Sequence, residues 1–258
     1  MESVTHHGRE TVYRTADRGG GGPTVLFVHG SGGTKDVWKS QLRIADEYPV
    51  VALDLSGHGE SDDADADAGY EALSAYVDDV LAVTEETGAS VLVGNSLGGA
   101  VALTAVIERE VSLDALVLAG TGARLSVLDD LLAWLRDDFE RAVEFLHEPD
   151  RLFHDPSEEY VEQSREAMLA AGRAVTERDF LTCHDFDVRG QLDDVDAPTL
   201  ALVGEHDKLT PRSYHEYFVH ELPDCELAVV EDAAHLAMLE APTAFNAALT
   251  DFLDRRAE

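Results

Sequence analysis

Cysteine is scarce in this sequence: Cys183 and Cys225 are the only two in 258 residues, far apart and without the paired spacing of a metal knuckle or redox motif. They are expected to be small buried residues in a reducing compartment, not a disulfide. Lysine is nearly as scarce, with Lys35, Lys39 and Lys208 alone, and 19 Lys+Arg face 52 Asp+Glu for a formal net charge of −33. With no basic face to neutralise phosphates, nucleic acid and anionic membrane surfaces are excluded as partners. No apolar run approaches membrane-spanning length, and MESVTHHGRE lacks the cationic-then-apolar order of an export signal. A cytoplasmic protein with no membrane partner is the expectation.

The acid is spread along the chain instead of gathered in a tail, as expected of a protein kept hydrated in concentrated salt. Self-repulsion on this scale is strong in dilute buffer and largely screened at molar salt, where the Debye length is about 3 Å. Hydrophobic residues make up 45% of the chain, enough for a folded core, and the length suits one domain carrying an insertion. Short β-branched runs recur between turn signals: Val25–Val28, Val50–Leu53, Val91–Val93, Ala115–Ala119, Leu200–Val203 and Leu227–Val230. They are continuous, not alternating, which is how strands buried on both faces of a parallel sheet read. Helical periodicity over Tyr70–Glu86, Leu97–Glu108, Ser213–Glu221 and Ala241–Leu253 completes an α/β alternation. Thr11–Arg14 is expected to add an early edge strand.

The alternation breaks between Arg124 and Gln191, where only helical segments occur: Val127–Leu146, Ser157–Ala171 and Thr176–His184. The expected layout is therefore a core of residues 1–123 and 192–258 with a helical cap, residues 124–191, inserted in it. The aromatic side chains of this stretch, Trp134, Phe139 and Phe145, face either a substrate or the insert's own core. Trp134 and Phe139, on its first amphipathic segment, are the substrate-facing candidates.

The segment Ser90–Ala100 reads SVLVGNSLGGA: an apolar strand, then Gly94-Asn95-Ser96-Leu97-Gly98, then a helix. A G-x-S-x-G turn between strand and helix reverses so sharply that side chains at its glycines would collide. It lifts the serine hydroxyl clear of the sheet and aims the N-terminus of the next helix at it. Five residues alone recur by chance, so the partners decide. After Leu200–Val203 comes Gly204-Glu205-His206-Asp207-Lys208-Leu209-Thr210-Pro211, and after Leu227–Val230 come Asp232-Ala233-Ala234-His235 and Glu240-Ala241-Pro242. Thr210 and Pro211 are expected as the cap and first residue of a helix. His206, His215 and His220 are expected to be polar surface.

In order and spacing these motifs resemble those of the α/β-hydrolase family, over nearly the whole chain. The resemblance implies Ser96 as nucleophile, Asp207 as the acid (preferred over Glu205 and Asp232) and His235 as the base. It also implies that Val28-His29-Gly30-Ser31-Gly32-Gly33 supplies half of an oxyanion hole, the backbone N–H of Ser31 pairing with that of Leu97. His29 would then be structural, and Asp54-Leu55-Ser56-Gly57-His58-Gly59-Glu60-Ser61 would match the family's D-x-x-G-x-G-x-S turn.

The implied activity is hydrolysis of a small-to-medium carboxylic ester through an acyl-enzyme on Ser96. No cofactor is needed, and no metal site is expected because no HExxH or comparable ligand spacing occurs. Carbon–carbon bond hydrolysis, lactonase or perhydrolase chemistry on the same three residues, and a ligand receptor that retains them, remain as alternatives. The sequence does not specify an oligomeric state.

Overall fold

In the computed structural model, which describes residues 1–109 and 111–256, eight strands form one sheet in the order β1-β2-β4-β3-β5-β6-β7-β8. Residues 110, 257 and 258, counted with the core by the sequence, lie outside the described set. The strands are β1 (Glu2–His6), β2 (Arg9–Ala16), β3 (Val25–Val28), β4 (Val50–Leu53), β5 (Val91–Asn95), β6 (Ala115–Ala119), β7 (Thr199–Gly204) and β8 (Cys225–Val230). From β4 to β8 every neighbour pairs in parallel; β1 and β2 are antiparallel.

The continuous apolar runs divide by parity between two cores. Leu26, Val28, Leu92, Leu116 and Leu118 face one side, where they meet helices α1 (Tyr70–Thr87) and α2 (Leu97–Arg109). Val25, Phe27, Val91, Val93 and Val117 face the other. There Phe245, Leu249 and Phe252 of the C-terminal helix (Pro242–Arg256) close over them. Burial on both faces is what removes the polar alternation from these strands. The sheet is doubly wound, as the strand–helix alternation predicts.

The N-terminus departs from expectation. β2 is not the edge: β1 lies outside it, joined by a two-residue turn in which His7 and Gly8 both take positive φ, 47° and 80°. β1 is largely exposed, so it carries no apolar signature for a reader to find.

Between β6 and β7 the chain leaves the sheet as helices only: α3 (Asp129–Asp137), α4 (Phe139–Leu146) and α5 (Glu158–Asp185). The expected single helix over Val127–Leu146 is two, because Asp138 leaves helical geometry and its carboxylate caps α4 at the Arg141 N–H. Inside α5, Gly172 takes φ 81° and ψ 165°, breaking the helix into two pieces. The stretch departs and returns at one place: Arg124 bridges Asp187, and the Val188 N–H donates to the Ala123 carbonyl at 2.8 Å. Among the described residues the remaining α-helices are α6 (Arg212–Glu221), α7 (Ala237–Glu240) and α8, the C-terminal helix already described. Among the described residues, no helix is long and apolar enough to cross a membrane. Both cysteines are free, Cys183 buried and Cys225 partly so.

Candidate active site

Four loops at the carboxyl ends of parallel strands meet at one edge of the sheet: those after β3, β5, β7 and β8. Ser96 follows β5 and sits at φ 55°, a left-handed conformation that non-glycine residues adopt only under constraint. The constraint is close backbone approach. A Cβ on Gly94 would fall 2.3 Å from the Gly98 carbonyl oxygen, and one on Gly98 2.4 Å from that of Val28. Ser96 is half-buried, and Leu97 opens α2, so its N–H belongs to the first turn, where no intrahelical acceptor exists.

His235 and Asp207 are both buried, and the Nδ1–H of His235 donates to Asp207 Oδ2 at 2.9 Å. The other carboxylate oxygen, Oδ1, accepts the backbone N–H groups of Leu209 and Thr210 at 2.8 and 2.9 Å. Burial pushes the Asp207 carboxyl up; the neighbouring His235 and the Thr210 donors outweigh it and hold the group below the usual carboxylate range. Thr210 is not the helix cap expected of it. Its hydroxyl donates to Asp207 Oδ2 at 2.8 Å, and Pro211 occupies the cap position. Glu205 is exposed and sits 3.4 Å from the backbone nitrogen of exposed Asp232; among the described residues neither is hydrogen-bonded to His235. Glu240 fixes the histidine loop from behind, accepting the Ala234 N–H at 2.7 Å and the His154 N–H at 2.8 Å.

His215 also departs from its expected place on the surface. It is buried, and its Nε2 accepts the Thr121 N–H at 3.2 Å. Burial pushes this ring down to about 4, so it stays a neutral acceptor. Thr121 in turn donates its hydroxyl to the Ser96 carbonyl at 2.8 Å, which makes His215 a support of the serine turn from behind. Helical spacing placed the position on a surface helix; nothing in the sequence marked its partner.

The loop after β3 is held by His29. Its Nε2 accepts the Leu55 N–H at 3.1 Å, leaving the proton on Nδ1, which donates to the Gly30 carbonyl at 2.8 Å. Burial and the charge of the neighbouring His58 push His29 down to about 4. The structural role expected of it is the one the hydrogen bonds support. The Asp54–Ser61 turn is locked likewise: Asp54 pairs with the buried Lys35 and accepts the Glu60 N–H at 3.0 Å.

A cavity of about 830 Å³ opens between this edge and the helices above it. Ser31, Ser96 and His235 line it from the sheet side; Phe145 of α4 and Tyr160, Met168 and Phe180 of α5 line it from the helical side. Trp134 and Phe139 are not among the lining residues. Trp134 stands one layer back, edge-on to Phe145 with ring centroids 5.0 Å apart and the Arg141 guanidinium over its face. Asp150, His154 and His206 bring possible metal-ligand atoms within 4.8 Å of one another. The two imidazoles are stacked at 3.6 Å and 14°, so their in-plane lone pairs do not converge, and the Lys208 ammonium already holds Asp150.

A doubly wound sheet that gathers these loops at its carboxyl edge under a helical layer defines the class, an α/β hydrolase. The chain belongs to the alpha/beta hydrolase family, whose model matches residues 25–248. It is 29% identical to the pimeloyl-[acyl-carrier protein] methyl ester esterase of Neisseria meningitidis serogroup C, across 89% of this chain and 93% of that protein. It is 28% identical to the 2-hydroxy-6-oxo-6-(2'-aminophenyl)hexa-2,4-dienoic acid hydrolase of Metapseudomonas resinovorans, across 99% of this chain and 91% of that one. Among solved structures, a thermophilic esterase superposes with a TM-score of 0.85 at 33% identity, covering 99% of this chain and 97% of its own. The protein is thus an esterase-like hydrolase.

Proposed function

We propose that the protein hydrolyses small-to-medium carboxylic esters through an acyl-enzyme on Ser96. The observation that carries this reading is the His235–Asp207 hydrogen bond of 2.9 Å beside a serine held at φ 55° on the wall of the same cavity. His235 takes the serine proton as Ser96 attacks the ester carbonyl, and Asp207 holds the imidazole with Nδ1 protonated so that Nε2 is the base. The N–H groups of Ser31 and Leu97 receive the developing oxyanion. His235 returns the proton to the leaving alcohol, then activates water on the acyl-enzyme; neither step requires a metal or organic cofactor. The test is turnover of short-chain nitrophenyl esters in multimolar KCl. One slow stoichiometric acylation without turnover would defeat the reading and favour a receptor. A second reading, carbon–carbon bond hydrolysis, is favoured by the likeness to the Metapseudomonas hydrolase and predicts faster turnover of a vinylogous diketone than of any ester.

The helices of residues 124–191 act in this reading as a cap that selects substrates by shape, within a cavity sized for a ligand of this class. Because Phe145 lines the cavity and Trp134 stands behind it, Phe145→Ala is expected to shift kcat/KM toward longer acyl chains by about tenfold. Trp134→Ala is expected to act less and only through Phe145. The check is a chain-length series on both variants; an unchanged preference in Phe145→Ala removes the cap from specificity.

We also propose that the protein is halophilic and works in the cytoplasm of a salt-rich cell. The −33 charge is the support. Moving the protein from molar KCl to dilute buffer is expected to lower its Tm by about 10 °C, as unscreened carboxylates repel one another. A Tm independent of KCl would reject this.

A further inference from the structure

Asp179 is a buried charged group to which neither the serine turn nor the His235 pair gives a role. Asp179 lies on the second half of α5, wholly shielded from solvent. A carboxylate in such a place is strongly destabilising unless several donors satisfy it. Three do. Its Oδ1 accepts the Tyr76 hydroxyl at 2.6 Å; its Oδ2 accepts the Nε2–H of His58 at 2.9 Å and the backbone N–H of Gly32 at 3.1 Å. His58 gives its other ring proton to the Ser56 carbonyl at 3.1 Å, so both nitrogens donate and the ring is an imidazolium. Burial pushes His58 down, but the charge of Asp179 more than reverses this, and His58 and Tyr76 hold Asp179 low against its own burial.

The Gly32 bond bears on the reaction. A peptide unit is planar and trans, so its C=O and N–H point in opposite directions, and fixing one aims the other. The unit joining Gly30 to Ser31 is fixed at its oxygen by the His29 Nδ1–H and by the Gly33 N–H at 3.1 Å, which turns the Ser31 N–H the opposite way. The unit joining Ser31 to Gly32 is fixed at its nitrogen by Asp179. Gly32 itself takes φ 64°, and a Cβ there would come within 3.0 Å of Met168 Cγ, also on α5. Ser31 is therefore clamped between two anchored peptide planes, one anchored from the core and one from the helical layer.

We propose that Asp179 is a positioning residue for oxyanion stabilisation: by accepting the Gly32 N–H it sets the orientation of the Ser31 donor. The inference rests on the acyl-transfer reading above. It makes the layer over the cavity a working part of the reaction as well as a filter on substrates.

The decisive variant replaces the buried ion pair by an apolar pair, His58→Leu with Asp179→Leu, an exchange that proteins often tolerate without loss of stability. Sites are counted by stoichiometric fluorophosphonate labelling. The expected result is a fall in kcat of about 10²-fold, the effect of misplacing one oxyanion donor, with KM changed less than about threefold. Affinity for an alkyl trifluoromethyl ketone, whose serine adduct carries the same oxyanion, should fall by the same factor. Asp179→Asn supplies the rescue, because an amide oxygen at the Oδ2 position still accepts the Gly32 N–H; its kcat should return to within about fivefold of wild type although it loses the ion pair with His58. A purely structural Asp179 predicts the opposite pattern, with kcat per labelled site unchanged in the double variant or tracking Tm in both. Either of these results overturns the proposal. If the wild-type protein turns over no ester, the reading of the reaction fails by itself. The ratio of Ser96 labelling rates between wild type, double variant and Asp179→Asn then decides the role of Asp179.

Discussion

Replacing Ser96 with alanine is expected to lower ester turnover by roughly 10⁴–10⁶-fold, to the level left by binding and oxyanion contacts alone. The exchange removes one oxygen and keeps the Cβ, so the left-handed turn is no more strained than before. The glycines that permit the turn, Gly94 and Gly98, are untouched. The melting curve should accordingly superpose on that of the wild type, which separates loss of chemistry from loss of fold. A fluorophosphonate should label the wild-type protein once, on the peptide that contains Ser96. A label on Ser31, or turnover surviving in the variant, would remove Ser96 from the reaction.

Asp207→Asn should cost about 10⁴-fold in kcat, and the geometry says why an amide cannot substitute. The Leu209 and Thr210 N–H groups both donate to Oδ1, so they select the amide oxygen for that position. The NH2 group is then forced into the Oδ2 position, facing His235 Nδ1. A donor there makes Nδ1 an acceptor and moves the ring proton to Nε2, where it blocks removal of the serine proton. Glu205→Gln and Asp232→Asn touch neither residue and should change kcat less than about threefold. A larger effect from Asp232→Asn than from Asp207→Asn would show that the acid is misassigned.

The serine turn follows local rules and was legible in the sequence, because Ser96 sits just beyond an apolar strand between glycines whose spacing follows from backbone sterics. Asp207 and His235 also follow apolar strands, but they were picked out through the resemblance to the family's motifs. Parallel strands buried on both sides announce themselves by unbroken apolar runs. What escaped depends on partners distant in the chain. β1 is exposed and pairs along one side only, so it lacked the pattern that marks the other strands. His215 has the same spacing as a surface residue, and only the approach of Thr121, 94 positions away, shows it to be buried. Trp134 and Phe139 belong to amphipathic helices whose periodicity defines an apolar stripe but not what the stripe meets; here Phe145 stands between Trp134 and the cavity. Asp179 was one acid among 52 Asp+Glu, and no composition separates a buried carboxylate from a solvated one.

The break at Gly172 divides α5 into two parts that meet the rest of the molecule differently. Downstream, Asp179 holds Gly32, Arg178 holds Asp63 and the Ser56 carbonyl, and Thr182 accepts the Gly69 N–H, so that half is bolted to the core through side chains that tolerate little exchange. Upstream, Tyr160, Gln163, Ser164 and Ala167 face the cavity, and Met168 reaches the Gly32 loop. A side chain would fit at position 172, where nothing lies within 4 Å, but the φ of 81° belongs to glycine. Such a joint lets the upstream half tilt or be rewritten without transmitting strain along one rigid rod. In the proposed reading, exchanges among residues 158–167 are expected to alter substrate range while leaving the groups that hold Ser31 in place, which makes that short segment the natural place to graft a new specificity.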